Sequence, residues 1–181
     1  MGRGQAERLM PLLQEVLAEA GCTAGAVQAI GVGTGPGNFT GIRISVSAAR
    51  GLALALGIPA IGVTAFEALA EAAPGPVLTA VDARRGLVYL AGPDGPLPGP
   101  MLPADLPAAL CGSGLDVIGA EAASLAARTG GAARDPALGT AEAIARVALS
   151  RIGQDLPRPA PLYLRPSDAA PPSDPPPVLL P

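Results

Sequence analysis

The 181-residue sequence contains no histidine, no tryptophan and, because all twelve basic residues are arginine, no lysine. Without lysine there is neither a P-loop lysine nor a Schiff base. Without histidine, the commonest general base and the commonest metal ligand are missing. Any catalysis by this chain would therefore depend on carboxylates.

Cysteine is also scarce, since Cys22 and Cys111 are the only two and lie far apart in apolar surroundings. This spacing indicates neither a disulfide framework nor a metal site. We therefore expect both residues to be buried free thiols.

Charge and hydropathy exclude further classes of protein. The net charge of -3 and the pI near 4.9 argue against a broad nucleic-acid surface, which needs a strongly basic domain. If RNA is involved, we expect a partner protein to hold it.

No segment has the ~20 consecutive apolar residues of a membrane span, and the start lacks the pattern of a signal peptide. We expect a cytoplasmic protein that does not contact a membrane.

The first half of the chain alternates between helix and strand patterns. Residues 5–20 have the spacing of an amphipathic helix, and residues 27–33 read as a short buried strand. Residues 42–56 predict a helix that is apolar on nearly all sides. They are followed by a strand at 58–63 and a short helix at 65–73. This alternation favours a parallel or mixed sheet.

The pattern changes near residue 75, where we place a boundary between two subdomains. Residues 77–82 and 86–92 flank a polar segment and predict a hairpin. The remaining elements of the second unit are predicted as a helix near 104–110, a strand at 115–119, and helices at 120–128 and 140–152. The predicted organisation is a first subdomain at 1–75, a second at 76–165 and a proline-rich tail at 166–181.

A glycine-rich turn at 33–41 joins the first strand to the apolar helix. A strand, a glycine-rich turn and a helix N-terminus together can present backbone amides to a phosphate. The turn lacks the GK[ST] of a P-loop, and Asn38 interrupts the GxGxxG spacing. Residue chemistry leaves two interpretations open: a phosphate site, or glycines that serve turn geometry and close helix packing.

The run GVGTGPGNFTGIRISVSAARGLALALGIPAIGVTAFEALA, residues 31–70, resembles the signature of the TsaB (YeaZ) family over forty residues in register. The resemblance extends to RGQAERLMPLLQEVL before it, and to VDARRGLVYLA and PLYLRPSDA after it. Its signature loop corresponds here to Gly33, Gly35, Pro36, Gly37, Asn38, Phe39, Thr40 and Gly41.

The resemblance implies an α/β chain with the actin-like or Hsp70-like ATPase fold and RNase H-like subdomains. It implies a non-catalytic subunit without a cofactor. Such a subunit supports TsaD, which transfers threonylcarbamoyl to adenosine 37 of tRNA, together with the ATPase TsaE. Contact with tRNA is expected only through the complex. The implied partner surface lies on the helices at 5–20 and 40–56, with Leu9, Leu13, Val16, Leu17, Arg43, Val46, Ala49, Arg50 and Ala53 as candidates.

The sequence departs from the family pattern at its start, because members begin with strands that precede the first helix. We therefore expect the first subdomain to be N-terminally truncated, with an unpaired strand edge. A homodimer through the same helices is plausible when the partner is absent. Two rival functions are an actin-like kinase and a hydrolase that acts through carboxylates such as Asp82 and Glu67.

Overall fold

The computed structural model describes residues 4–164, which contain two separate β-sheets and five α-helices. The first helix, α1 (Gln5–Glu19), runs through Pro11. A turn of 3-10 helix at Ala24–Ala26, which the sequence pattern did not predict, follows it. The predicted tail at 166–181 lies outside the described residues, and the boundary near residue 75 stays a prediction.

The first sheet consists of β1 (Ile30–Gly35) and β2 (Ala60–Thr64), which pair in parallel from Ile30 opposite Ala60. Helix α2 (Phe39–Leu56) is the crossover between them, and it ends at Gly57 in the left-handed conformation that glycine favours. The helix buries Val46 and Ala49 against Val32 of β1. The parallel pairing expected from the alternating pattern is confirmed.

The opposite face of this sheet is covered by the last helix, α5 (Thr140–Ser150), whose Ala143 and Val147 pack on Ile61 and Val63. The sequence places this helix in the second unit, whereas the structure packs it on the first sheet. The physical reason is that α5 can approach β1 closely at Gly31. A Cβ atom added at Gly31 would lie 2.9 Å from the Ala148 Cβ, so glycine in β1 admits the small face of α5.

The second sheet is mixed and has the strand order β5-β4-β3-β6-β7. Its strands are β3 (Val77–Asp82), β4 (Val88–Gly92), β5 (Gly95–Pro96), β6 (Asp116–Gly119) and β7 (Ala133–Arg134). The predicted hairpin is confirmed, since β3 and β4 are antiparallel neighbours. Helix α4 (Ala122–Thr129) places Leu125 in a core with Leu78, Leu90 and Val117.

Two short elements complete the frame. Helix α3 (Ala65–Ala70) begins with a capping box, in which Thr64 and Glu67 satisfy each other's backbone amides. It contacts α5 and β3, and so lies between the two sheets. The helix predicted near 104–110 is instead a 3-10 turn at Pro103–Asp105. Pro107 lacks the backbone N–H that a longer helix would need there.

Candidate functional site

The signature loop joins β1 to α2 by a tight turn that needs glycine at one position in particular. Gly35 has φ of 92°, and a Cβ atom added there would lie 2.6 Å from the Ile42 Cδ1. The Gly35–Pro36 peptide is cis, and both residues are buried. Packing against α2 and turn geometry thus account for this part of the loop.

Two other residues of the loop, Thr34 and Asn38, make hydrogen bonds within the chain. Asn38 is the N-cap of α2, and its Oδ1 accepts a hydrogen bond from the Gly41 N–H at 3.4 Å. At the other end, the Thr34 hydroxyl donates to the Val63 carbonyl at 3.2 Å, and the Thr34 carbonyl accepts from the Leu162 N–H at 2.8 Å. These contacts favour the interpretation of the loop as turn and cap geometry.

Three side chains form an exposed cluster beside the loop, which we call the Arg43 clamp: Phe39, Arg43 and Tyr163. The Arg43 Nε donates a hydrogen bond of 2.7 Å to the Tyr163 hydroxyl. The guanidinium carbon lies 3.9 Å from the centroid of the Phe39 ring, and the two rings are 5.1 Å apart. Tyr163 lies 120 positions after Arg43 in sequence, so the sequence pattern did not reveal the cluster.

Helix α2 has a buried face and an open one. Val46, Ala49 and Ala53, proposed from the sequence as partner contacts, are buried. The prediction that these three residues contact a partner is therefore wrong, because their side chains lie in the interior of this chain. Sequence periodicity could not distinguish the two faces, since the helix is apolar or small on nearly all sides.

The open face of α2 carries residues at spacings of three and four, which recur on one side of a helix. Its members are exposed, and Leu54 leaves 84% of its surface open. We call this set the α2 face: Arg43, Ser47, Arg50, Gly51 and Leu54. A Cβ atom added at Gly51 would meet nothing within 4 Å among residues 4–164, so no contact with those residues explains glycine there.

Helix α1 is the more open of the two predicted partner helices. No side chain described at 6–19 is buried. Leu9, Leu13 and Leu17 are half-buried along one stripe, while Val16 is 52% exposed. Isolated helices of this length are marginal in water, so an amphipathic face normally needs a packing partner.

By length and composition alone, α2 is also apolar enough to cross a membrane, and it is the one such helix within residues 4–164. Its mean hydropathy of 1.2 is modest, and Arg43 and Arg50 lie on its exposed face. The helix also packs along β1. A helix that packs on a sheet with one face can therefore have this length and composition without crossing a membrane.

The two carboxylates weighed as hydrolase candidates line different clefts. Asp82 borders a cleft of about 360 Å³ between α3, β3 and the start of α5, and its Oδ1 accepts a hydrogen bond from the Arg84 N–H at 2.8 Å. Glu67 borders a second cleft, of about 420 Å³, together with Leu162. The structure therefore does not bring them together, and Asp82 has the local turn bond typical of aspartate.

Glu67 has a structural set of partners. It pairs with Arg151, whose other Nη donates to the Gly62 carbonyl at 3.1 Å, and it completes the capping box with Thr64. Partial burial alone would raise the pKa of Glu67. The hydrogen bonds from Arg151 and Thr64 outweigh it and hold the pKa below its usual value. The pair thus ties the end of α5 to the first sheet and α3.

Cysteine and metal chemistry add no site among residues 4–164. Cys22 is half-buried and Cys111 is exposed, so the expectation of two buried thiols is wrong. Cys111 lies 4.0 Å from the Arg128 Nη2, in a loop rather than in the core. Within those residues, no group of three or more potential metal-ligating side chains occurs.

Comparison with solved structures identifies the class of fold. A Pseudomonas aeruginosa protein described as having similarity to peptidase YEAZ matches with a TM-score of 0.66 and 29% identity, covering 91% of this chain and 86% of that one. A second Pseudomonas aeruginosa structure, YeaZ, matches with the same TM-score and 26% identity, covering 88% and 84%. The architecture is the actin-like ATPase fold.

Sequence comparison gives the family. A family model described as TsaD, tRNA N6-adenosine threonylcarbamoyltransferase, matches residues 2–95. The Escherichia coli tRNA threonylcarbamoyladenosine biosynthesis protein TsaB is 39% identical over 94 residues, which are 49% of this chain and 41% of the relative. Haemophilus influenzae TsaB is 37% identical over 92 residues, 48% of this chain and 39% of the relative. The chain belongs to the TsaB (YeaZ) family, and it spans about two fifths of the length of these curated relatives.

Proposed function

We propose that this chain is a non-catalytic subunit in the synthesis of threonylcarbamoyladenosine in tRNA, and that it binds and supports a catalytic TsaD subunit together with the ATPase TsaE. The observation that carries the proposal is the pair of open helix faces: α1 exposes Met10, Leu12 and Val16, and α2 exposes the large apolar side chain of Leu54 beside its two arginines. Exposed apolar patches of this kind mark interfaces.

The α2 face suits a helix from a partner. Ser47 and Gly51 are small, and Leu54 offers a large apolar side chain one turn further along. Small residues let two helices approach closely, and Leu54 can insert between side chains of the facing helix. Together with α1, this face provides two helices for a helical bundle with TsaD. The same faces would serve a homodimer when TsaD is absent.

The chemistry of the clefts supports a binding role over the rival functions. Among the described residues, Asp82 is the one carboxylate lining its cleft, and it accepts a hydrogen bond within its own turn. A kinase of this fold would need metal-binding acids beside the phosphates. The peptidase description of one relative would require a nucleophile with a base, and this sequence has no histidine. A cytoplasmic location, with tRNA contacted only through the complex, follows from this role.

The test is co-purification of the chain with the TsaD protein of the same organism, followed by size-exclusion chromatography with light scattering. We expect a heterodimer that Leu54→Glu weakens strongly, because the new charge would be buried on binding. Leu149→Glu is the matched control, since Leu149 on α5 is also exposed, at 69%. If the wild-type chain does not bind TsaD, or if both variants bind as it does, the proposal fails.

Function is tested by reconstitution of tRNA threonylcarbamoylation with TsaD and TsaE. We expect Leu54→Glu to lower the rate in proportion to lost complex and Asp82→Asn to leave it unchanged. Loss of activity in Asp82→Asn with an intact complex would favour a catalytic role for the Asp82 cleft instead.

A further inference from the structure

We infer that Arg43 is a preorganised anchor for a carboxylate of the partner protein, and that Phe39 and Tyr163 hold it in position. The inference rests on the function proposed above, because the partner is the TsaD subunit. It adds the chemistry by which the α2 face selects its partner, and it assigns a role to Tyr163.

The Arg43 clamp fixes the guanidinium before any partner arrives. The hydrogen bond to Tyr163 restrains the Nε, and the contact with the Phe39 ring, 3.9 Å from its centroid to the guanidinium carbon, restrains the position of the group. A free arginine side chain loses considerable rotamer entropy when it is immobilised at an interface. Because the clamp already restrains Arg43 in the folded chain, this loss of rotamer entropy does not oppose binding.

The clamp leaves the end of the guanidinium available. Tyr163 accepts from the Nε, and neither Nη makes a hydrogen bond within residues 4–164. The Arg43 side chain is exposed. The two Nη atoms form a planar fork that matches both oxygens of a carboxylate. A lysine at this position could neither stack in the same way nor present that fork.

The local charges favour an acidic protein surface as the occupant. From Ala20 to Phe66 the sequence has no aspartate or glutamate, although the whole chain is negative. Helix α2 therefore carries Arg43 and Arg50 without an acid of its own. The two arginines are seven residues apart, about 10 Å along one face. The apolar Leu54 and the open space at Gly51 beside them suit a partner helix with acids about two turns apart.

A double-mutant cycle on binding to TsaD tests the inference. We expect Arg43→Gln to weaken binding about tenfold and to flatten its dependence on salt, because a charge-assisted pair is lost. Tyr163→Phe keeps the ring and removes the hydroxyl, and it should weaken binding by a smaller factor. Because Tyr163 acts through Arg43, Tyr163→Phe should have no effect in the Arg43→Gln background. Arg128→Gln, on α4, is the control for loss of an exposed arginine.

The possible outcomes are distinguishable. If the wild-type chain binds TsaD and Arg43→Gln weakens binding no more than Arg128→Gln does, this inference is overturned. The proposed function is unaffected by that result. An equal effect of Tyr163→Phe in both backgrounds overturns the role of the clamp. Unchanged TsaD binding with weakened tRNA binding by the complex would assign Arg43 to RNA instead. If wild-type protein does not bind TsaD, both this inference and the proposed function fail.

Discussion

Replacing Gly51 by alanine should make the chain more stable and bind its partner less well. Gly51 lies inside α2, and a Cβ atom added there would meet nothing within 4 Å in the part of the chain that the structure describes. Alanine at an exposed position inside a helix is more favourable than glycine by about 0.5–1 kcal/mol. For a chain of this size, that gain corresponds to a rise in Tm of about 1–4 °C.

The matched substitution Gly31→Ala should act in the opposite direction. At Gly31 the added Cβ would lie 2.9 Å from the Ala148 Cβ and 3.2 Å from the Ile144 Cγ2. The Ala148 Cβ cannot move away without shifting α5, and the Ile144 carbonyl oxygen is a further 3.3 Å backbone contact, so we expect overpacking to cost about 1–3 kcal/mol. Thermal and urea unfolding of the two variants beside the wild type measures both effects.

The same Gly51→Ala protein then tests the interface. If a partner helix approaches closely at this position, the new methyl group should weaken TsaD binding about tenfold, or about 1.4 kcal/mol, in titration calorimetry. A variant that is stabilised and binds as tightly as wild type would show that no helix packs at Gly51. A variant that is destabilised would show that the surroundings of Gly51 are not open, and the reasoning would fail at its first step.

Two further predictions concern stability alone. Because the folded pKa of Glu67 lies below the ordinary value of 4.5, its stabilising effect should be complete above that pH and decline as pH falls through the folded pKa. Glu67→Gln should therefore be less stable than wild type at pH 7 in urea unfolding, and a difference that does not narrow below pH 4.5 would contradict this. Leu125 is fully buried, so Leu125→Ala should cost about 2–5 kcal/mol, and a loss below 1 kcal/mol would mean that the core collapses around it.

Local patterns predicted much of the frame. A helix was predicted before Gly21 and strands were predicted at 58–63 and 77–82, and the structure has these elements within a few residues of the predicted positions. The glycine-rich turn likewise lies between a strand and a helix, as predicted. These signals depend on neighbours in sequence, and so they can be read without knowledge of the fold. The two-residue strands β5 and β7 were not predicted, because pairing with neighbouring strands defines them rather than any periodicity of their own.

The candidate site was predictable only in part. The sequence pattern selected α2 correctly as an unusually apolar helix, yet it could not tell that Val46 faces β1 while Leu54 faces outward. That distinction depends on which side of the helix the sheet occupies. The Arg43 clamp was missed for a related reason, since Tyr163 reaches Arg43 only after the second sheet and α5 have brought the chain back.

The return of α5 to the first sheet has a consequence for how the chain is made. While residues 30–64 emerge from the ribosome, the Gly31 face of β1 has no cover, and the helix that covers it begins at residue 140. Closure over such a distance is slow compared with local helix formation, so the nascent first sheet would expose apolar surface until residues 140–150 have been made. After a protease cut anywhere between residues 71 and 139, only non-covalent packing would hold this sheet to its covering helix.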